Sequence, residues 1–181
     1  IYVVRYLGPE NFGIFSYAIS FVGLFATIAT LGLDSIVVRE LVKDPRRRDE
    51  LLGSVFYLRI IGALIAIALT LIAAVILKES SFNFILIAII VTSTIFQSLN
   101  VVEHYFQAKV ESKYNVYVQS YSPILSSILT VILIFFGTSL IYFTIVYVIE
   151  FIFLSVGFYI VYKINNLKIS TWQFKSSSAF I

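Results

Sequence analysis

The stretch IIGALIAIALTLIAAVIL, residues 60–77, contains eighteen residues and no charged side chain. A helix of about 20 apolar residues spans the roughly 30 Å hydrocarbon core of a bilayer. Similar runs recur along the 181 residues, of which 60% are hydrophobic and 13% charged, whereas soluble domains average about 25% charged. The runs are continuous and do not alternate, which excludes membrane strands. The sequence predicts an all-α, polytopic membrane helix bundle.

Turn-forming and polar residues divide the apolar sequence into six helical segments. We predict helices at about 1–7 (truncated), 12–34, 54–77, 84–106, 116–137 and 140–162. Together they form an N-terminal transmembrane lobe, 1–162, followed by a cytoplasmic connector, 163–181. The chain has no Met and opens within an apolar run, so we expect a fragment that lacks its natural start and continues beyond its last residue.

Charged side chains gather in VVRELVKDPRRRDELLG, residues 37–53, which we interpret as a loop. Two further basic regions, 107–115 and the tail from 163, alternate onto the same side, and the opposite loops contain only Lys78. Ten basic residues against one predict that the basic side is cytoplasmic. The net charge of +3 therefore reflects membrane topology, and we expect no nucleic-acid partner.

Several classes of chemistry are excluded by absent motifs. Without Cys there is no disulfide framework, no Cys-ligated zinc and no thiol nucleophile. The chain also lacks a phosphate-cradling Gly-rich loop, a DxD-like acidic pair and HExxH, and its single His makes a metal site unexpected. The predicted outer loops are too short to carry the catalytic groups of a membrane enzyme of glycan assembly. We expect no metal, no cofactor and no enzymatic activity.

Polar side chains recur at steps of three and four along three predicted helices. Small residues at such steps are typical of close helix packing, whereas bulky hydrogen-bonding residues favour a hydrated cavity. The fourth helix favours the cavity, because it carries bulky groups. Its polar residues are Ser93, Gln97, Asn100, Glu103, His104, Gln107 and Glu111. The second and fifth helices carry Ser16, Ser20, Gly23, Thr27, Thr30 and Asp34, and Asn115, Gln119, Ser122, Ser126 and Thr130.

Two ionisable residues lie inside predicted helices. Glu150 lies near mid-membrane, where a charged carboxylate costs about 2.5 kcal/mol or more. It must be protonated, paired or hydrated, with Arg59 and His104 as candidate partners, and it is a candidate for ion coupling. Arg59 either extends to the cytoplasmic interface or contacts an anion in a lumen. Arg5 is in a similar position near the outer end of the first helix.

Three motifs together carry a family resemblance: RYLGPENFGIFSYA (5–18), GLDSIVVREL (32–41) and EHYFQAKVESKY (103–114). In this order and spacing, they resemble the N-terminal half of Wzx-type polysaccharide exporters. These are O-antigen repeat-unit flippases of the MOP superfamily, related to MATE antiporters and lipid II flippases. The likeness covers essentially the whole chain, and the RxLGPExFG turn is its most specific part.

The resemblance implies an all-helical transporter with about twelve to fourteen helices in two lobes around a central cavity. The chain would be the first lobe, with a cationic lumen that holds the pyrophosphate and sugars of the substrate. From their positions, Arg5, Arg39 and Arg59 are candidates for that role. The polar residues Gln97, Asn100, Glu103, His104 and Gln107 complete the candidate lumen.

We therefore expect a flippase of the cytoplasmic (inner) membrane that translocates polyprenyl-pyrophosphate-linked oligosaccharide repeat units by alternating access, in lipopolysaccharide or exopolysaccharide export. Its expected partners are the lipid-linked oligosaccharide, membrane lipids and glycan-assembly proteins. The alternative is a MATE-like, cation-coupled exporter of small amphipathic molecules. That exporter would need the same bundle around a smaller and more anionic cavity.

Overall fold

The computed structural model describes residues 2–30, 34–165 and 167, and the regular elements in these ranges are all helical. The all-α prediction is thus confirmed. Two short 3₁₀ turns lie at Pro45–Arg47 and Gln97–Asn100. The helices are α1 (Tyr2–Thr30), α2 (Asp34–Lys43), α3 (Arg48–Ile76), α4 (Ser81–Val91), α5 (Ser93–Phe96), α6 (Val101–Ala108), α7 (Lys113–Phe135) and α8 (Leu140–Ile164).

Four helical stretches are long and apolar enough to cross a membrane, judged by length and composition within the described residues. They are Pro45–Ile76, Ser81–Ala108, Lys113–Phe135 and Leu140–Ile164. Of the predicted connector 163–181, only 163–165 and 167 belong to the described residues.

Gly8 divides α1 into two helical pieces. Its φ of 74° and ψ of 166° are open to glycine and strained for other residues. Pro9 follows, where its fixed φ suits a first helical turn, and the Asn11 side-chain amide donates to the Leu7 carbonyl at 3.0 Å. Val3 and Phe15 line one small cavity, so the chain reverses at Gly8. The turn predicted at 7–13 is therefore centred on a single residue.

The charged stretch at 37–53 is not a loop, which corrects the prediction. Most of it is helical, because Val37 and Leu41 lie one turn apart and are both buried, as is Glu40, while Arg39 and Lys43 are exposed. The Asp44 carboxylate accepts from the Arg46 backbone N–H at 3.1 Å and caps the following 3₁₀ turn. Helix α3 then begins at Arg48, several residues before the predicted bound of 54.

The segment predicted as one helix at 84–106 is instead divided into α4, α5, a 3₁₀ turn and α6. The Ser155 hydroxyl on α8 donates to the Phe96 carbonyl at the start of the 3₁₀ turn, at 2.5 Å. A 3₁₀ stretch inside a long helix often marks a functional position or a local conflict in the sequence. Similarly, the segment predicted at 12–34 ends its first helix at Thr30, and Asp34 begins a separate one.

Two large apolar clusters stabilise the bundle, one toward each end, and a small third cluster contains Ala63 and Ala66. The cluster at the basic end includes Val55, Val102, Phe106, Phe158 and Tyr162. The cluster at the opposite end includes Leu7, Phe21, Ile87, Ile90 and Phe143.

Polar residues lie between the two clusters. They come from α3, from the 3₁₀ turn at Gln97–Asn100, from α6 and from α8. We call Arg59, Gln97, Asn100, His104 and Ser155 the polar layer. Because it lies between two apolar clusters, its side chains need partners from neighbouring protein groups, from water or from a ligand.

Candidate functional site

Two buried residues of the polar layer, Arg59 and His104, form an ionic group with Asp34. The Arg59 side chain is only 6% exposed and its guanidinium pairs with the Asp34 carboxylate, which is 54% exposed. His104 on α6 is also buried, and its Nε2 lies 2.9 Å from Arg59 Nη2 and 3.4 Å from Asp34 Oδ1. Three separate helices thus meet through these residues. Asp34 begins α2, where the helix dipole favours a negative charge.

The contact between Arg59 and His104 selects a tautomer of the imidazole ring. Arginine nitrogens only donate hydrogen bonds, so His104 Nε2 must accept. The ring is then neutral, with its hydrogen on Nδ1. That Nδ1 atom is buried and has no hydrogen-bond partner in the described part of the chain.

Further polar atoms of this region are also buried without partners among the described residues. They include the Arg59 Nε donor, the Asn100 Oδ1 acceptor and the Ser98 hydroxyl. Leaving such a group unpaired costs about 1–3 kcal/mol, and most buried polar groups in proteins are satisfied. These unpaired donors and this acceptor match the hydrogen-bonding groups of water, sugar hydroxyls or phosphate oxygens, and each of them is buried in this conformation.

The other residues predicted for the lumen are divided between this region and the surface. The Gln107 side chain donates to the Glu103 carboxylate at 2.8 Å, and Gln97 is half-buried in the 3₁₀ turn. Arg5 is exposed before the reversal at Gly8. Arg39 is exposed on α2, with its Nε 3.5 Å from Glu40 Oε1. Of the three predicted arginines, only Arg59 is buried.

Glu150 occupies a second polar position, on α8 facing α7. Its Oε2 lies 2.6 Å from the Ser126 hydroxyl, which is also 3.1 Å from the Pro123 carbonyl. The carboxyl group borders a cavity of about 150 Å³ that Thr130 and Tyr147 also line. Arg59 and His104, the predicted partners, contact Asp34 instead.

Asp34 is the functional candidate that was missing from the predicted site. The sequence places Asp34 at the end of a polar stripe. That position indicates which side of the helix Asp34 lies on, but it does not indicate that Asp34 pairs with Arg59. A buried arginine needs an acidic partner, and that requirement could have led to Asp34. In the described residues, no three His, Cys, Asp or Glu side chains lie close enough together to hold a metal ion.

At the end of the bundle opposite the basic residues, a hydrogen-bonded group joins α1 to the turn between α3 and α4. The Glu79 carboxylate accepts from the Tyr17 hydroxyl at 2.5 Å and from the Asn83 side-chain amide at 3.0 Å. The bond from Tyr17, and to a smaller extent the bond from Asn83, lowers the pKa of Glu79 below its ordinary value. The group fastens α1 to the turn between α3 and α4.

A family profile described as "Polysaccharide biosynthesis protein" matches residues 1–180. The chain belongs to the polysaccharide biosynthesis protein family. No curated protein and no solved structure matches it significantly. With four candidate spans in the described residues, this member of the family is a multi-pass membrane protein. The family and the helical membrane bundle together point to a transporter-type protein with a role in polysaccharide export, and not to an enzyme.

Proposed function

We propose that the chain forms one lobe of a flippase that moves polyprenyl-pyrophosphate-linked oligosaccharide repeat units across the cytoplasmic membrane by alternating access. The observation that carries this proposal is the polar layer between the two apolar clusters. Sugars and pyrophosphate cannot enter hydrocarbon without replacements for their hydrogen bonds to water. Arg59 Nε, His104 Nδ1 and Asn100 Oδ1, which have no hydrogen-bond partner among the described residues, would supply such replacements once the lobe opens to the substrate.

Arg59 would contact the pyrophosphate, since it brings a permanent charge to a mostly apolar interior. Its pairing with the half-exposed Asp34 leaves the charge balanced when no substrate is bound. An incoming phosphate would compete with Asp34 for the guanidinium. The exposed Arg39, on the basic side, would attract the anionic group before it reaches Arg59, and the exposed Arg5, near the outer end, would attract it afterwards.

Glu150 would couple the transport to an ion gradient. A Ser126 hydroxyl has one hydrogen, so it cannot donate to both Pro123 and Glu150. A protonated Glu150 that donates to Ser126 satisfies both contacts at once, whereas an ionised Glu150 takes the Ser126 hydrogen away from Pro123. Both arrangements keep a hydrogen bond between Glu150 and Ser126, which supports the ion-coupling role. The MATE-like alternative would use the same residue.

Complementation of a strain that lacks the flippase tests the proposal. Arg59→Lys in the full-length protein should retain part of surface glycan delivery, whereas Arg59→Ala should lose most of it. The lipid-linked precursor should then accumulate in the cytoplasmic leaflet. Arg46→Ala, which removes an exposed arginine outside the polar layer, is the matched control.

Two results would contradict the flippase. The first is wild-type glycan delivery by Arg59→Ala at equal expression. The second is normal glycan delivery without the protein, together with increased sensitivity to small amphipathic cations, which would support the MATE-like exporter.

A further inference from the structure

A pocket of about 300 Å³ opens at the basic end of the bundle, between α2, the start of α3 and the end of α6. Its lining combines polar and apolar side chains: Arg48, Tyr105 and Lys109 with Leu41, Val42, Pro45 and Ala108. We call it the basic pocket. It is separate from the polar layer and from the Glu150 cavity, because it shares no lining residue with either.

Two cations are held against one aromatic ring in the basic pocket. Lys109 Nζ lies 5.1 Å and the Arg48 guanidinium carbon 5.8 Å from the centroid of the Tyr105 ring. The ring itself is 5% exposed and makes an edge contact with Tyr162 at 5.9 Å, so it is fixed in place. Arg48 pairs with Asp49 at 2.7 Å, whereas Lys109 has no ion pair among the described residues. The pocket therefore carries an excess of positive charge.

The depth of the basic pocket indicates what kind of anion it would bind. Arg48 lies near the start of one apolar span, and Lys109 directly follows the end of another. The pocket is thus at the level where a bilayer passes from hydrocarbon to water. Val42 and Val110 beside it are 60% and 89% exposed, which suits contact with acyl chains and not with water. Phosphate and apolar groups are adjacent in a phospholipid and not in a free ion.

We propose that the basic pocket binds the headgroup of an anionic glycerophospholipid. The phosphate lies between Lys109 and Arg48, and the glycerol and first acyl carbons lie against Leu41, Val42 and Ala108. Basic pockets between membrane helices on the cytoplasmic side are typical sites for such headgroups. A volume of about 300 Å³ is at the lower end of the range of small-ligand pockets, which suits a headgroup better than an oligosaccharide. The inference depends on the membrane placement and not on the transported substrate.

Native mass spectrometry of the delipidated, purified full-length protein tests the site. Phosphatidylglycerol should bind more tightly than phosphatidylcholine. Lys109→Gln and Arg48→Gln should each weaken phosphatidylglycerol binding about fivefold, since one cation near a membrane surface contributes roughly that factor. Arg48→Lys should retain most of the binding. Lys163→Gln removes an exposed lysine at the same end of the bundle, outside the pocket, and should change nothing.

Two outcomes would overturn the proposal. One is equal binding of both lipids that Lys109→Gln does not alter, which would reduce the pocket to an apolar groove. The other is loss of phosphatidylglycerol on adding an equal concentration of inorganic phosphate, which would make it a site for a free anion. If Arg48→Gln does not fold, Lys109→Gln decides alone, because Lys109 is exposed at the end of α6.

Discussion

Arg59 Nη2 lies 2.9 Å from His104 Nε2, and only a neutral His104 can complete this contact. Protonation of the imidazole would set two donors against each other within a buried site. The pair therefore links α3 to α6 in a way that depends on the protonation state of one ring. Asp34, at 3.4 Å from the same nitrogen, is the group that would gain a contact if His104 became charged.

Two replacements of His104 distinguish the contribution of its ring as a hydrogen-bond acceptor from the contribution of its size. His104→Leu leaves Arg59 without that acceptor and should lower the free energy of unfolding by about 1–3 kcal/mol. His104→Gln, whose side-chain oxygen can accept from Arg59, should lose less. Thermal unfolding of the purified protein at pH 8 measures both. Equal losses for Leu and Gln would mean that the contact with Arg59 contributes no stability.

Replacing Glu150 tests whether its proton is used in transport. Glu150→Gln keeps the size and hydrogen bonding but cannot titrate, so it should abolish or uncouple glycan export. Glu150→Asp should retain part of it. Export is measured by surface glycan at equal expression, across external pH values of about 6 to 8. Glu10→Gln, which removes an exposed carboxylate, is the matched control. Wild-type export by Glu150→Gln would leave Glu150 as a residue of the helix interface only.

Cysteine labelling tests the orientation, because the chain has no native Cys. An impermeant thiol reagent should label Ser81→Cys in intact cells and should not label Arg46→Cys. Both positions are exposed, and they lie at opposite ends of α3 and its connections. Permeabilised cells should label both, which controls for reactivity. Labelling of Arg46→Cys alone in intact cells would reverse the predicted topology.

The bond from Tyr17 to Glu79 should make stability depend on pH. Because the pKa of Glu79 is lowered in the folded state, its contribution is present above the ordinary value of 4.5 and is lost as the pH falls through the lowered pKa. Tyr17→Phe should therefore destabilise the protein at pH 7 more than at about pH 3. Unfolding curves of the wild-type and Tyr17→Phe proteins, recorded at each of these two pH values, measure the difference. Tyr142→Phe, at an exposed position on α8, should show no such difference.

The sequence was sufficient for the helical class, because long apolar runs leave few alternatives in a membrane. It also located the reversal at Gly8, since Gly, Pro and Asn occur together there. It failed at α2, where charged residues obscured the helical spacing of Val37 and Leu41. Charge density indicated a loop, although Arg39 and Lys43 are exposed on a short helix that buries Glu40 together with Val37 and Leu41.

The site was predicted less completely than the fold. Sequence spacing placed Gln97, Asn100 and His104 on one stripe, but it assumed a regular helix where the structure has a 3₁₀ turn. The pairing of Arg59 with Asp34 depends on how α2 packs beside α3, which no local pattern contains. For the same reason, Ser126 could not be identified as the neighbour of Glu150.

The 3₁₀ turn at Gln97–Asn100 is longer and more tightly wound than the same four residues would be in an α-helix. A 3₁₀ turn rises about 2.0 Å and advances about 120° per residue, against about 1.5 Å and 100° in an α-helix. If these four residues became α-helical, the segment would shorten by about 2 Å and α6 would turn by roughly 80° relative to α4. His104 would then swing away from Arg59 while the apolar cluster around Ile87 and Ile90 stayed in place. A conversion of this turn between 3₁₀ and α geometry would therefore rotate His104 relative to α4 without any break in the membrane span.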